Sequence, residues 1–234
     1  MMTCGSQTSS RDLIGLALAE NRLLIGVELL LSLGCVLLKV KGIIHNPTLL
    51  IFVIAWLSLW LRRQGWRGLG LRIPKRWWWT VLAGIGIGVL YDAVDVLAIT
   101  PLLHHITGER IQIDAMSNSI RGNLAGLLGY LALVWLLAAV VEECTYRGYL
   151  FNRMTDLWGV GRVGVATSFL VVSVIFGVVH WNQGATGVLD NVLAGALFMA
   201  MYLVSGRNLW FPIIVHGVVD TTSMILLYMG INLG

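Results

Sequence analysis

The chain has 234 residues, of which 57% are hydrophobic and only 12% charged, and its mean hydropathy is +0.81. A soluble domain carries about 25% charged residues, so the composition excludes an ordinary water-soluble enzyme or binding module and points to a polytopic membrane protein, one integral membrane domain over residues 1–234. The net charge of +4 comes with no basic helix and no nucleic-acid motif, so nucleic acid is not an expected partner.

In chain order, Cys4 follows MMT with no apolar segment before it, so the N-terminus reads as neither a lipobox nor a cleavable signal, and the first apolar run is expected to stay in the membrane. Cys4, Cys35 and Cys144 imply no disulfide framework. Seven apolar stretches are read as spans, at about 22–38, 47–61, 77–101, 124–151, 163–182, 187–204 and 210–230. Between the second and third lie Arg62, Arg63, Arg67, Arg72, Lys75 and Arg76, the pattern of a cytoplasmic loop. Alternation then puts Arg11, Arg22, Arg153, Arg162 and Arg207 on that side too. Leaving Arg147 aside as intramembrane, eleven basic residues face four on the other side, namely Lys39, Lys41, Arg110 and Arg121. The expectation is an N-terminus inside and a C-terminus outside.

Trp77, Trp78 and Trp79 open the third span as an interfacial belt would. Asp92 and Asp95, three residues apart, share a face of that span. A structural role, a place in a substrate cavity and a proton relay are all open to them. The polar stretch 103–122 reads as an interfacial helix or a lid over a cavity, with His104 and His105 as an exposed interfacial pair rather than ligands.

The fourth span carries the most informative residues. Glu142 and Glu143 sit side by side in an apolar run, where a carboxylate costs roughly 2.5–3.5 kcal/mol on insertion scales, so the pair marks a functional site by default. Residues four apart share a helix face, and three such pairs fall on three spans: Glu143 with Arg147, Phe176 with His180, and His216 with Asp220. Glu143 precedes Arg147 in the favourable order for an ion pair. Glu142 points about 100° around the helix from it, so it is the carboxylate left free to act. Two histidines, an unpaired Glu and Asp220, each rare within a membrane, read as one joint site.

These residues resemble the motifs of the CPBP family, which comprises type II CAAX prenyl endopeptidases and bacteriocin-processing or self-immunity (Abi) membrane proteases. EECTYR fits its EExxxR motif, FGVVH its FxxxH motif, and HGVVD its closing HxxxN/D motif. The match covers about 123–225, the catalytic half. The resemblance implies an all-α transmembrane helix bundle of about seven spans with a conical, water-accessible cavity, acting as an intramembrane endopeptidase. Glu142 and His180 would activate the attacking water, His216 and residue 220 would hold the oxyanion, and Glu143 and Arg147 would orient them, with Phe176 supporting.

The commonest family residue at position 220 is Asn, and an ionised Asp cannot donate a hydrogen bond. Asp220 therefore either is protonated, orients His216, or ligates a metal. Two His and a carboxylate would suit catalytic Zn²⁺, which keeps a metalloprotease possible. No single helix carries two closely spaced ligands, however, and a metal-free glutamic mechanism is favoured, with no cofactor. The implied partner is a membrane-associated peptide or protein, cleaved near its membrane-proximal C-terminus. Prenylated CAAX substrates fit if the source makes them; in a bacterial inner membrane, which the compact size favours, a secreted peptide, a bacteriocin leader or a C-terminal sorting segment fits better. Two other classes stay open, a non-catalytic immunity or scaffold protein and a small proton-coupled transporter using Asp92 and Asp95. One tension remains: with helix ends near 153 and 162, Glu142 and His180 would lie ~16 and ~27 Å from the inner boundary, unless the fourth span extends to about 157.

Overall fold

The computed structural model describes residues 10–231, and Cys4 lies outside them. Those residues form nine helices and no strand. They are α1 Ser10–Glu20, α2 Arg22–Val40, α3 Pro47–Leu61, α4 Trp77–Thr107, α5 Asp114–Ile120, α6 Leu124–Trp158, α7 Arg162–Val178, α8 Trp181–Val204 and α9 Trp210–Tyr228. Five of them, α2, α4, α6, α8 and α9, are long and apolar enough to cross a membrane, while α3 and α7 are shorter apolar helices. These seven correspond to the seven expected stretches, and the protein is an all-α integral membrane bundle.

Two helices run beyond their expected ends. Helix α4 continues past 101 to Thr107 because a π-turn at Asp95–Ile99, in which the Thr100 amide bonds back to the Asp95 carbonyl, precedes Pro101. Widening the turn there accommodates a residue that has no N–H to give. Helix α6 continues to Trp158, 35 residues in all. Arg153, expected in a loop, instead lies buried in α6, where it donates to the Glu28 carboxylate at 2.6 Å, to Asp156 at 3.0 Å and to the Leu18 carbonyl at 2.7 Å. With its charge matched by two carboxylates, the helix passes it without interruption.

The helix ends sort into two faces. On one, Asn208 donates to the Arg72 carbonyl, the Leu209 amide donates to the Gly70 carbonyl, Arg207 donates to Asn152, and Arg63 pairs with Asp12. On the other, the Gln112 amide donates to the Gln183 carbonyl and the Gly122 amide to that of Tyr228. This is the grouping that alternating spans require. Helices α4 and α9 meet closely through Gly84 and Gly88, where a Cβ would fall 2.6 Å from Ile214 and 2.7 Å from Val218. Small residues one turn apart allow that approach in lipid. Cys35 and Cys144 are both unpaired.

Candidate active site

The site is built on the middle of α6, which winds as a π-helix over Val134–Glu142 and again over Cys144–Leu150. π-Turns within α-helices are frequent at functional sites. Glu143 is fully buried, and its Oε1 accepts from Arg147 Nη1 at 2.9 Å and from His216 Nδ1 at 2.8 Å. Arg147, equally buried, donates through Nη2 to the Gly195 carbonyl of α8 at 2.9 Å, and its guanidinium lies 4.4 Å from the Phe176 ring centroid. Phe176 is thus the floor under the cation. His216 stacks on Phe198, 4.4 Å between centroids and 17° between planes.

Next to this buried cluster, Glu142 forms no ion pair or hydrogen bond among the described residues. It lines a cavity of ≈ 230 Å³ together with His180, His216 and Asp220. His180 Nδ1 lies 2.8 Å from the Phe176 carbonyl. A carbonyl only accepts, so Nδ1 carries the proton, and in the neutral ring Nε2 holds the lone pair. His216 Nε2 stands 3.5 Å from Asp220 Oδ2, a charge contact rather than a good hydrogen bond.

The structure therefore brings the four residues Glu142, His180, His216 and Asp220 around one cavity and sets Glu143, Arg147 and Phe176 behind them. The depth gap between Glu142 and His180 narrows: with α6 ending at Trp158 and α7 starting at Arg162, they lie ~24 and ~27 Å from those helix ends at the rise of an α-helix. Asp95 lines the same cavity, while Asp92 is buried and accepts from Ser223 Oγ. Gln183, Asp190 and Asn191 also line the cavity, and none was singled out from the sequence. Asp190 had left a signal, as the lone charge in the apolar run 187–204.

Part of the polar insertion covers this cavity. Ile111, Ile113 and Met116 contribute to its wall, between Gly108 and Gly122, both at positive φ. Glu109 anchors the segment by accepting from the Ala185 amide at 2.8 Å, where the α-helical part of α8 starts at Gly184 and unsatisfied N–H groups favour an anion. His104 donates to the Glu109 carbonyl at 2.7 Å, and neither it nor exposed His105 lines the cavity.

Among the described residues no group of three or more His, Cys, Asp or Glu is placed to hold a metal ion; each histidine has Nδ1 on an oxygen acceptor, which leaves Nε2 as the nitrogen that can act on the cavity.

Fold and geometry together define a polytopic helical membrane protein with a free carboxylate and two imidazoles around an intramembrane cavity, braced by a buried Glu–Arg pair. Residues 124–222 match the family described as type II CAAX prenyl endopeptidase, Rce1-like, so this segment is similar to the CAAX-type membrane proteases. No curated protein and no solved structure matches the chain.

Proposed function

We propose that this protein hydrolyses a peptide bond of a membrane-associated peptide or protein inside the bilayer, using water activated by Glu142 and His180 and no metal. The observation that carries this reading is the asymmetry of the glutamate pair. Glu143 is buried and held through Oε1 by Arg147 and His216, whereas Glu142 opens onto the cavity with no hydrogen bond or ion pair among the described residues. A carboxylate and a bare imidazole nitrogen on one cavity can take a proton from water as its oxygen bonds to the carbonyl carbon. The carbonyl electron pair moves to oxygen, where His216 Nε2–H would meet it when both ring nitrogens are protonated, Asp220 balancing that charge. As the C–N bond breaks, the proton held by Glu142 passes to the leaving amine.

The substrate would be a prenylated CAAX protein where the source makes one, and otherwise a secreted peptide, a bacteriocin leader or a C-terminal sorting segment, in a bacterial inner membrane with the protein's N-terminus inside. The test uses purified protein and two internally quenched peptides, one ending in a farnesylated CAAX sequence and one without lipid. Glu142→Gln, His180→Ala and His216→Ala should each lower the cleavage rate at least ~10²-fold while remaining inserted and monodisperse. Cleavage by Glu142→Gln at the wild-type rate would remove Glu142 as the base.

A further inference from the structure

Resting on that peptidase reading, we infer that Gln183 is a catalytic residue whose side-chain NH₂ donates to the oxyanion, the task an ionised Asp220 cannot perform. Gln183 closes the 3₁₀ turn Trp181–Gln183 that follows His180, and it lines the cavity shared by Glu142, His180 and His216.

The orientation of its amide follows from a neighbour. Asn191 Nδ2 lies 2.8 Å from the Gly187 carbonyl and 2.9 Å from Gln183 Oε1. Only an N–H can face a backbone carbonyl, so the Asn191 group at that point is its NH₂. The same NH₂ faces Gln183, and that end of the Gln183 amide must therefore be oxygen. The Gln183 NH₂ is turned the other way and meets no partner among the described residues. The main chain fixes the residue as well: its amide donates to the His180 carbonyl at 2.8 Å, and its own carbonyl accepts from the Gln112 amide at 3.0 Å. Gly187 leaves the space, since a Cβ there would fall 2.4 Å from Gln183 Cβ.

Elimination strengthens the assignment. Of the other neutral donors on the cavity wall, Ser223 is spent on Asp92, Thr100 on Asp95, and Asn191 on Gly187 and Gln183. His180 has its N–H on the Phe176 carbonyl. The donors left for a developing oxyanion are Gln183 Nε2 and His216 Nε2. Two donors converging on the charge that forms in the transition state are the usual form of an oxyanion hole, and losing one typically costs about 10²–10³-fold in kcat.

The experiment measures kcat and KM separately for full-length Gln183→Leu and Asn191→Asp on the quenched peptide that the wild type cleaves. Gln183→Leu removes the donor. Asn191→Asp replaces the NH₂ that fixes the amide with an acceptor, so Gln183 turns its NH₂ toward residue 191 and presents its oxygen where the donor stood. Each should lower kcat about 10²-fold with KM within about twofold, and adding Asp220→Asn to Gln183→Leu should recover about tenfold by restoring an NH₂ donor. Wild-type kcat in either folded variant, or a loss confined to KM, overturns the assignment. Glu142→Gln, run in parallel, separates the two readings: activity there removes the peptidase mechanism itself, whereas an inactive Glu142→Gln beside a fully active Gln183→Leu removes only the role of Gln183.

Discussion

Arg147 connects three helices at one point. It reaches Glu143 on its own helix, the Gly195 carbonyl on α8 and the face of Phe176 on α7, and Glu143 passes the connection to His216 on α9. Taking away the cation leaves a carboxylate fully buried without its counter-charge, a change that costs about 3–5 kcal/mol. Arg147→Ala should lose stability on that scale in detergent unfolding, and activity with it, because His216 loses a fixed partner. Arg147→Lys should recover only part, since an ammonium lacks the planar fork that serves Glu143 and Gly195 together. An Arg147→Ala protein that unfolds like the wild type would show that the pair does not brace the site. At this scale the sequence was informative where a charge stood alone against hydrocarbon, as at Glu142, Glu143, His180 and His216. It was silent on Gln183, Asn191 and Phe198, whose residue types are unremarkable and whose importance lies in which neighbour each one faces.

The existence of the apolar helices was legible because hydropathy reports it directly. Their ends were not. After Phe151 the run NRMTDLW reads as a loop when each side chain is weighed separately, yet α6 carries on to Trp158. The reason is a pairing across 125 residues, Arg153 with Glu28, which no local window contains. The π-winding around Glu142 is equally hidden, since a run of apolar residues looks the same at the 3.6-residue period and in the wider turn. The Glu143–Arg147 pair expected at a spacing of four persists at 2.9 Å in the wider helix. The polar insertion showed its polarity in the sequence, but its place over the cavity depends on Glu109 reaching the first turn of α8.

For the whole molecule, the two faces defined by the helix ends can be assigned to the two sides of the membrane. Arg153 is buried against Glu28, so ten of the eleven basic residues counted for the inner face remain there, still against four. The inner face should hold the 62–76 loop and the outer face the 108–122 segment. In a background free of Cys4, Cys35 and Cys144, Gly68→Cys should react with a membrane-impermeant thiol reagent only after cells are opened, and Ala115→Cys should react in intact cells. Both positions are exposed, so the reverse labelling would invert the topology and put the 108–122 segment, whose Ile111, Ile113 and Met116 line the cavity, on the cytoplasmic side. Cleavage of the quenched peptides by chelator-treated protein of known metal content tests the metal-free, Glu142-based chemistry most directly. The account predicts an undiminished rate for the wild type after chelation and a rate at least ~10²-fold lower for Glu142→Gln. Stoichiometric zinc whose removal abolishes cleavage and whose return restores it, or undiminished cleavage by Glu142→Gln, would contradict it.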